Sequence, residues 1–67
     1  MINLWNYVNA KKIKITSIDN ETFTGNLVCI EDAEENGADM DEIVIEIKSD
    51  TIIGFLQNEV KSIEVLK

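Results

Sequence analysis

Residues 12–16 read Lys12, Ile13, Lys14, Ile15, Thr16, polar and apolar in strict alternation. Only an extended strand with one buried and one wet face satisfies that period, since a helix would scatter the isoleucines around its circumference. The alternation predicts a strand over residues 12–18. Asp19, Asn20 and Glu21 then make a polar turn, and residues 22–30 resume the period. Phe23, Leu27 and Cys29 fall on one face of this second strand and Thr22, Thr24 and Asn26 on the other, so the two runs read as a hairpin. Gly25 shares the face of Phe23 and Leu27, where a glycine marks a bulge or the sharp bend of a curling sheet.

Further along, Ile43, Ile45 and Ile47 predict an inward face for a strand over 43–47, and Lys48, Ser49 and Asp50 form the next turn. Residues 51–56 are apolar on both faces, Ile52 and Leu56 on one and Ile53 and Phe55 on the other, which predicts a strand covered twice. The N-terminal segment around Trp5 and a neighbouring subunit are equally good covers. After Gln57, Asn58 and Glu59, the spacing of Val60 and Ile63 suggests one tight helical turn before a last strand over 63–66. At the N-terminus Leu4, Trp5 and Val8 fit one face of a short helix, while Leu4, Asn6 and Val8 also fit a weak strand; the helical reading is favoured, and its aromatic side, Trp5 with Tyr7, would cap an open end of the barrel.

A chain of 67 residues holds one domain, 1–67, with a core of marginal size. Cys29 is the only cysteine and histidine is absent, so neither an internal disulfide nor a zinc site of the cysteine–histidine type supplements that core. Packing and self-association remain. Cys29, beside Leu27, is expected to be a small buried hydrophobe in a reducing compartment. Residues 1–8 have no basic cluster and are too short for a signal h-region or a membrane span, so a cytoplasmic protein with no membrane contact is expected.

The formal charge is −7, from 13 acids against six lysines and no arginine. Seven acids lie within residues 31–42, which leaves 13 − 7 = 6 to balance the six lysines elsewhere. That acidic stretch has Asn36-Gly37 and no β-branched residue until its end, and is expected to be an exposed loop with a frayed helical turn. Its plain reading is a solvated surface that keeps a small protein soluble. A second is a contact for a basic protein partner, carried by Glu31, Asp32, Glu34, Glu35, Asn36, Asp39, Asp41 and Glu42. A third is a calcium loop counted from Asp32, with Glu34, Asn36 and Gly37 at positions three, five and six; Ile43 stands at position twelve, where a bidentate glutamate is required. Lys11, Lys12 and Lys14 form the only basic cluster, and strand amphipathicity accounts for it. No histidine, glycine-rich phosphate loop or serine beside a base is present, so the chain is expected to be non-enzymatic and to need no cofactor.

Taken together, the opening Tyr7-Val8-Asn9-Ala10-Lys11-Lys12-Ile13-Lys14-Ile15, the Phe23-Thr24-Gly25 segment and the ending Asn58-Glu59-Val60-Lys61-Ser62-Ile63-Glu64-Val65 resemble the Sm-like family, in particular the small Sm-like proteins of Gram-positive bacteria and their mobile elements. The resemblance implies an all-β fold, a small five-stranded antiparallel Sm-like or SH3-like barrel with a short N-terminal helix. It also implies a homo-oligomeric ring in which the fourth strand of one subunit pairs with the fifth of the next. The candidate interface is then Ile52, Ile53, Phe55, Ile63 and Val65. The family's RNA site has an aspartate followed four positions later by an asparagine, a spacing Asp32 and Asn36 keep one residue late relative to Gly25, with Glu35 in place of an apolar neighbour. Its second motif has a cation before a glycine, where this chain reads Ile53-Gly54. The resulting expectation is a binding or assembly module, with RNA binding as the alternative.

Overall fold

The computed structural model describes residues 1–37 and 39–67; the side chains of Glu35 and Asn36 lie outside the described residues. Five strands form one antiparallel sheet: β1 (Lys12–Ser17), β2 (Thr22–Glu31), β3 (Glu42–Lys48), β4 (Thr51–Leu56) and β5 (Val60–Leu66). The spatial order is β4-β3-β2-β1-β5, so β4 and β5 are the edges. No ladder joins them among the described residues, and the sheet is open rather than closed into a hydrogen-bonded barrel. The other elements are short: 3-10 turns at Leu4–Tyr7 and Gln57–Glu59, and a single α-helical turn at Ala33–Asn36.

The core is largely one face of isoleucines. Ile13 and Ile15 from β1, Ile30 from β2, Ile43 and Ile45 from β3 and Phe55 from β4 are buried, joined by Val60 from β5 and by Leu4. Leu4 is fully buried while Trp5 is 40 % exposed, so a leucine and not the expected aromatic pair plugs this end of the sheet. The reason is the geometry of the N-terminal segment. Asn3 Oδ1 accepts from the Trp5 amide at 3.1 Å, the Val8 amide bonds to Trp5 O and the Ala10 amide to Tyr7 O. The result is a tight 3-10 coil of one turn in place of a short helix, and it aims Leu4 inward and Trp5 out.

Three register shifts interrupt the ladders; one lies at the end of β3, between Glu46 and Lys48, and the other two shift the alternation read from sequence. Leu27 pairs with Ile45 and Cys29 with Val44, so Val28 is an extra residue in β2. The inner face therefore passes from Leu27 to Ile30, and Cys29 is turned outward and exposed, contrary to its expected burial. In β5, Val60 pairs with Ser17 and Ser62 with Thr16, leaving Lys61 extra. The three-residue spacing of Val60 and Ile63 thus comes from a bulge within a strand that begins at Val60; the tight turn lies just before it, at Gln57–Glu59.

The sheet is strongly curled. Phe55 stands opposite Ile43, and Ile43 opposite Ile30, which lies 30 − 23 = 7 residues along β2 from Phe23. On a flat sheet Phe23 and Phe55 would sit roughly 20 Å apart along the strand direction. Their ring centroids are 5.1 Å apart. The strands approach closely at Gly25, which is buried: a Cβ there would collide with the backbone of β3 at Glu46 O, 2.9 Å from Glu46 C and 3.2 Å from Ile47 Cα. Only a residue without a side chain lets β3 fold this closely over β2.

Candidate functional site

The acidic stretch is not one loop. Glu31 ends β2 and Glu42 begins β3, and the two are direct cross-strand partners. Like charges placed opposite one another disfavour the ladder. Glu42 avoids part of this repulsion by leaning toward β4, where its carboxylate occupies the space a side chain on Gly54 would fill. Asp32 is half-buried, while Glu34 and Asp39 are exposed. The expected roles of the Glu35 and Asn36 side chains fall outside the described residues.

Asp41 organises this end of the molecule. Its Oδ2 accepts from the indole Nε1 of Trp5 at 2.8 Å, its Oδ1 from the amide of Ala33 at 3.0 Å, and its carbonyl from the amide of Gln57 at 2.9 Å. One residue therefore ties together the N-terminal turn, the start of the helical turn after β2 and the turn before β5. Gln57 adds a second tie through Nε2 to the carbonyl of Ile2 at 2.6 Å. Asp41 is thus a structural anchor within the acidic segment. Among the described residues no three aspartate, glutamate, histidine or cysteine side chains are grouped to hold a metal ion. The helical turn at Ala33–Asn36 falls where a calcium loop would wrap its ion.

At the sheet edges, β4 has neither a charged residue nor a proline over Thr51–Leu56. The sequence left two covers open for its doubly apolar face. The N-terminal segment is held at Asp41 and Gln57, and Ile52 remains 58 % exposed, so that segment does not cover it. Ile53 and Ile63 are half-buried and packed against the core, Val65 is 51 % exposed, and Phe55 belongs to the core of its own chain. Both edges thus present apolar side chains, and among the described residues neither edge joins a further strand.

Lys12 and Lys14 face outward from β1 as the alternation predicted, with Lys14 opposite Glu64 of β5. Two hollows were not legible from sequence. One, of about 190 Å³, opens between the β1–β2 turn and the Gln57–Glu59 turn, over Phe23 and Phe55. The other, of about 370 Å³, lies beside Asp39, Met40 and Leu56. Each is assembled from segments distant in sequence, and the acids at 19, 21 and 59 were the only hint of the first. Among the described residues no helix is long and apolar enough to cross a membrane. Comparison with protein-family models, curated proteins and solved structures finds no match to this chain.

Proposed function

We propose that this chain is a non-enzymatic binding and assembly module on an Sm-like, SH3-like barrel, which self-associates by joining the β4 edge of one copy to the β5 edge of the next. The Leu4–Tyr7 turn takes the place of the family's N-terminal helix. The observation that carries the reading is the pair of open edges, β4 with no charged residue and β5 with only Lys61 and Glu64, and with Ile52 and Val65 both more than half exposed at opposite ends of the strand order. An uncharged, apolar edge strand is an aggregation hazard unless another chain pairs with it, and head-to-tail pairing removes both edges at once. The exposed Cys29 suits a reducing, cytoplasmic setting. The acidic surface of Glu31, Asp32, Glu34 and Asp39 favours a basic protein as any further partner and disfavours RNA, whose phosphates are normally met by arginine and lysine.

Light scattering after size exclusion tests the assembly. The expected mass is two or more times 7.6 kDa, in whole-number steps. The monomer mass at micromolar to millimolar concentration would refute it. Retention of a short uridine-rich oligonucleotide at low salt would instead favour the RNA-binding alternative.

A further inference from the structure

We propose that the cleft between the β1–β2 turn and the Gln57–Glu59 turn receives a cationic side chain, a lysine or arginine presented by a basic protein partner. Phe23 and Phe55 line it, tilted 55° to one another with centroids 5.1 Å apart. Three acidic residues, Asp19, Glu21 and Glu59, complete the lining with Ser17 and Ile18, and no lysine is among them. The ammonium of Lys61, next to this turn in β5, is held on Asn20 Oδ1 at 2.7 Å. An aromatic pair combined with carboxylates is complementary to a cation: ring faces attract positive charge through the quadrupole, and the carboxylates add Coulomb attraction. The methylene stem of a lysine or arginine would pack on Ile18 and the rings. An anion meets three like charges, and a neutral apolar group would desolvate carboxylates without pairing them.

Size selects among cationic ligands. At about 190 Å³ the cleft is smaller than the roughly 300–1,000 Å³ of sites that enclose a drug-sized molecule, and it suits one long side chain. The backbone of its walls and the Glu59 carboxylate are already held. Ser17 Oγ accepts from the amides of Asp19 at 3.2 Å and Glu21 at 3.3 Å, and the Ile18 amide bonds to Glu59 O at 3.1 Å. Glu59 Oε1 accepts from the Leu56 amide at 2.8 Å. Little ordering is left for the ligand to impose.

This inference goes beyond the assembly reading and does not depend on it. The test is an amide chemical-shift titration of the intact chain with acetyl-lysine methylamide, acetyl-arginine methylamide and neutral acetyl-norleucine methylamide. Saturable shifts in residues 17–23, 55 and 59 are expected with the two cations and not with norleucine. Glu21→Gln, which preserves size, should weaken the cations about two- to five-fold, the range of a partly exposed ion pair. Phe23→Leu should weaken them while amide dispersion shows the fold intact. Equal shifts with norleucine, no saturable shift with either cation at millimolar concentration, or shifts centred elsewhere would each overturn the proposal. A monomeric chain that binds the cations would sink the assembly reading alone, and an oligomer that ignores them would sink this one alone.

Discussion

Trp5 Nε1 donates to Asp41 Oδ2 at 2.8 Å, joining two residues 36 apart in sequence and fastening the N-terminal turn to the start of β3. Asp41→Ala removes that acceptor and also leaves the part-buried amide of Ala33 without its partner. Loss of a cap and a charge-assisted bond should cost about 1–2 kcal/mol in urea unfolding. Trp5 is the only tryptophan, so its emission should shift to the red as the indole is released. Trp5→Phe, which gives up only a solvent-accessible bond, should cost less than half as much. Equal losses from the two variants would mean that the Ala33 contact contributes nothing.

The same residue shows where sequence reading stopped. Asp41 looks like one more acid in a solvated run, because composition says nothing about which carboxylate the fold turns back onto its own backbone. Strand identity was legible because Ile13, Ile15, Ile43 and Ile45 repeat at period two and all four are buried. Strand phase was not, since Val28 and Lys61 each insert one residue and reverse the faces beyond them. The edges were legible as the doubly apolar 51–56 segment. The cleft was not, because Phe23 and Phe55 meet only once the sheet has curled.

That curl depends on Gly25 more than on any other glycine. Gly25→Ala drives a methyl group into the Glu46–Ile47 backbone, which cannot move without disturbing the β2–β3 ladder, and should cost about 2–3 kcal/mol. Gly54→Ala meets only the end of the Glu42 side chain, which can swing away, and should stay within about 0.5 kcal/mol. Thermal or urea unfolding of the two variants side by side checks the contrast. Similar costs would mean the bend is held elsewhere.

Phe55 is buried at the centre of that curl, and Phe55→Ala should cost about 3–5 kcal/mol through lost burial and the cavity it leaves. A 67-residue chain is expected to have only roughly 3–10 kcal/mol in total. The variant should therefore be partly unfolded at room temperature, visible as lost amide dispersion. Phe23→Ala, at a half-buried position, should remain folded with a lowered urea midpoint.

Cys29 gives a direct reading of the β2 bulge. With Val28 as the extra residue the thiol faces outward, so a maleimide should label the native protein without prior unfolding. Cys29→Ser should change stability by no more than about 0.5 kcal/mol. Labelling slowed by orders of magnitude in the native state would place the thiol in the core and remove the bulge.

Ile52 and Val65 separate one mode of assembly from another. Each is exposed on a different edge strand, so Ile52→Lys and Val65→Lys should each leave the fold within about 0.5 kcal/mol of the parent while putting a charge where a second chain would pair. In head-to-tail association every contact uses one β4 edge and one β5 edge, so either substitution alone should reduce the particle to a monomer. The Ile52→Lys chain still has an intact β5 edge and the Val65→Lys chain an intact β4 edge. Mixed in equal amounts, they should form a species of twice the monomer mass and no larger, because the two remaining edges are both blocked. If like edges paired instead, as in a two-fold dimer through β4, Val65→Lys would associate normally and mixing would restore nothing. Light scattering of the two variants, separately and mixed, distinguishes these outcomes.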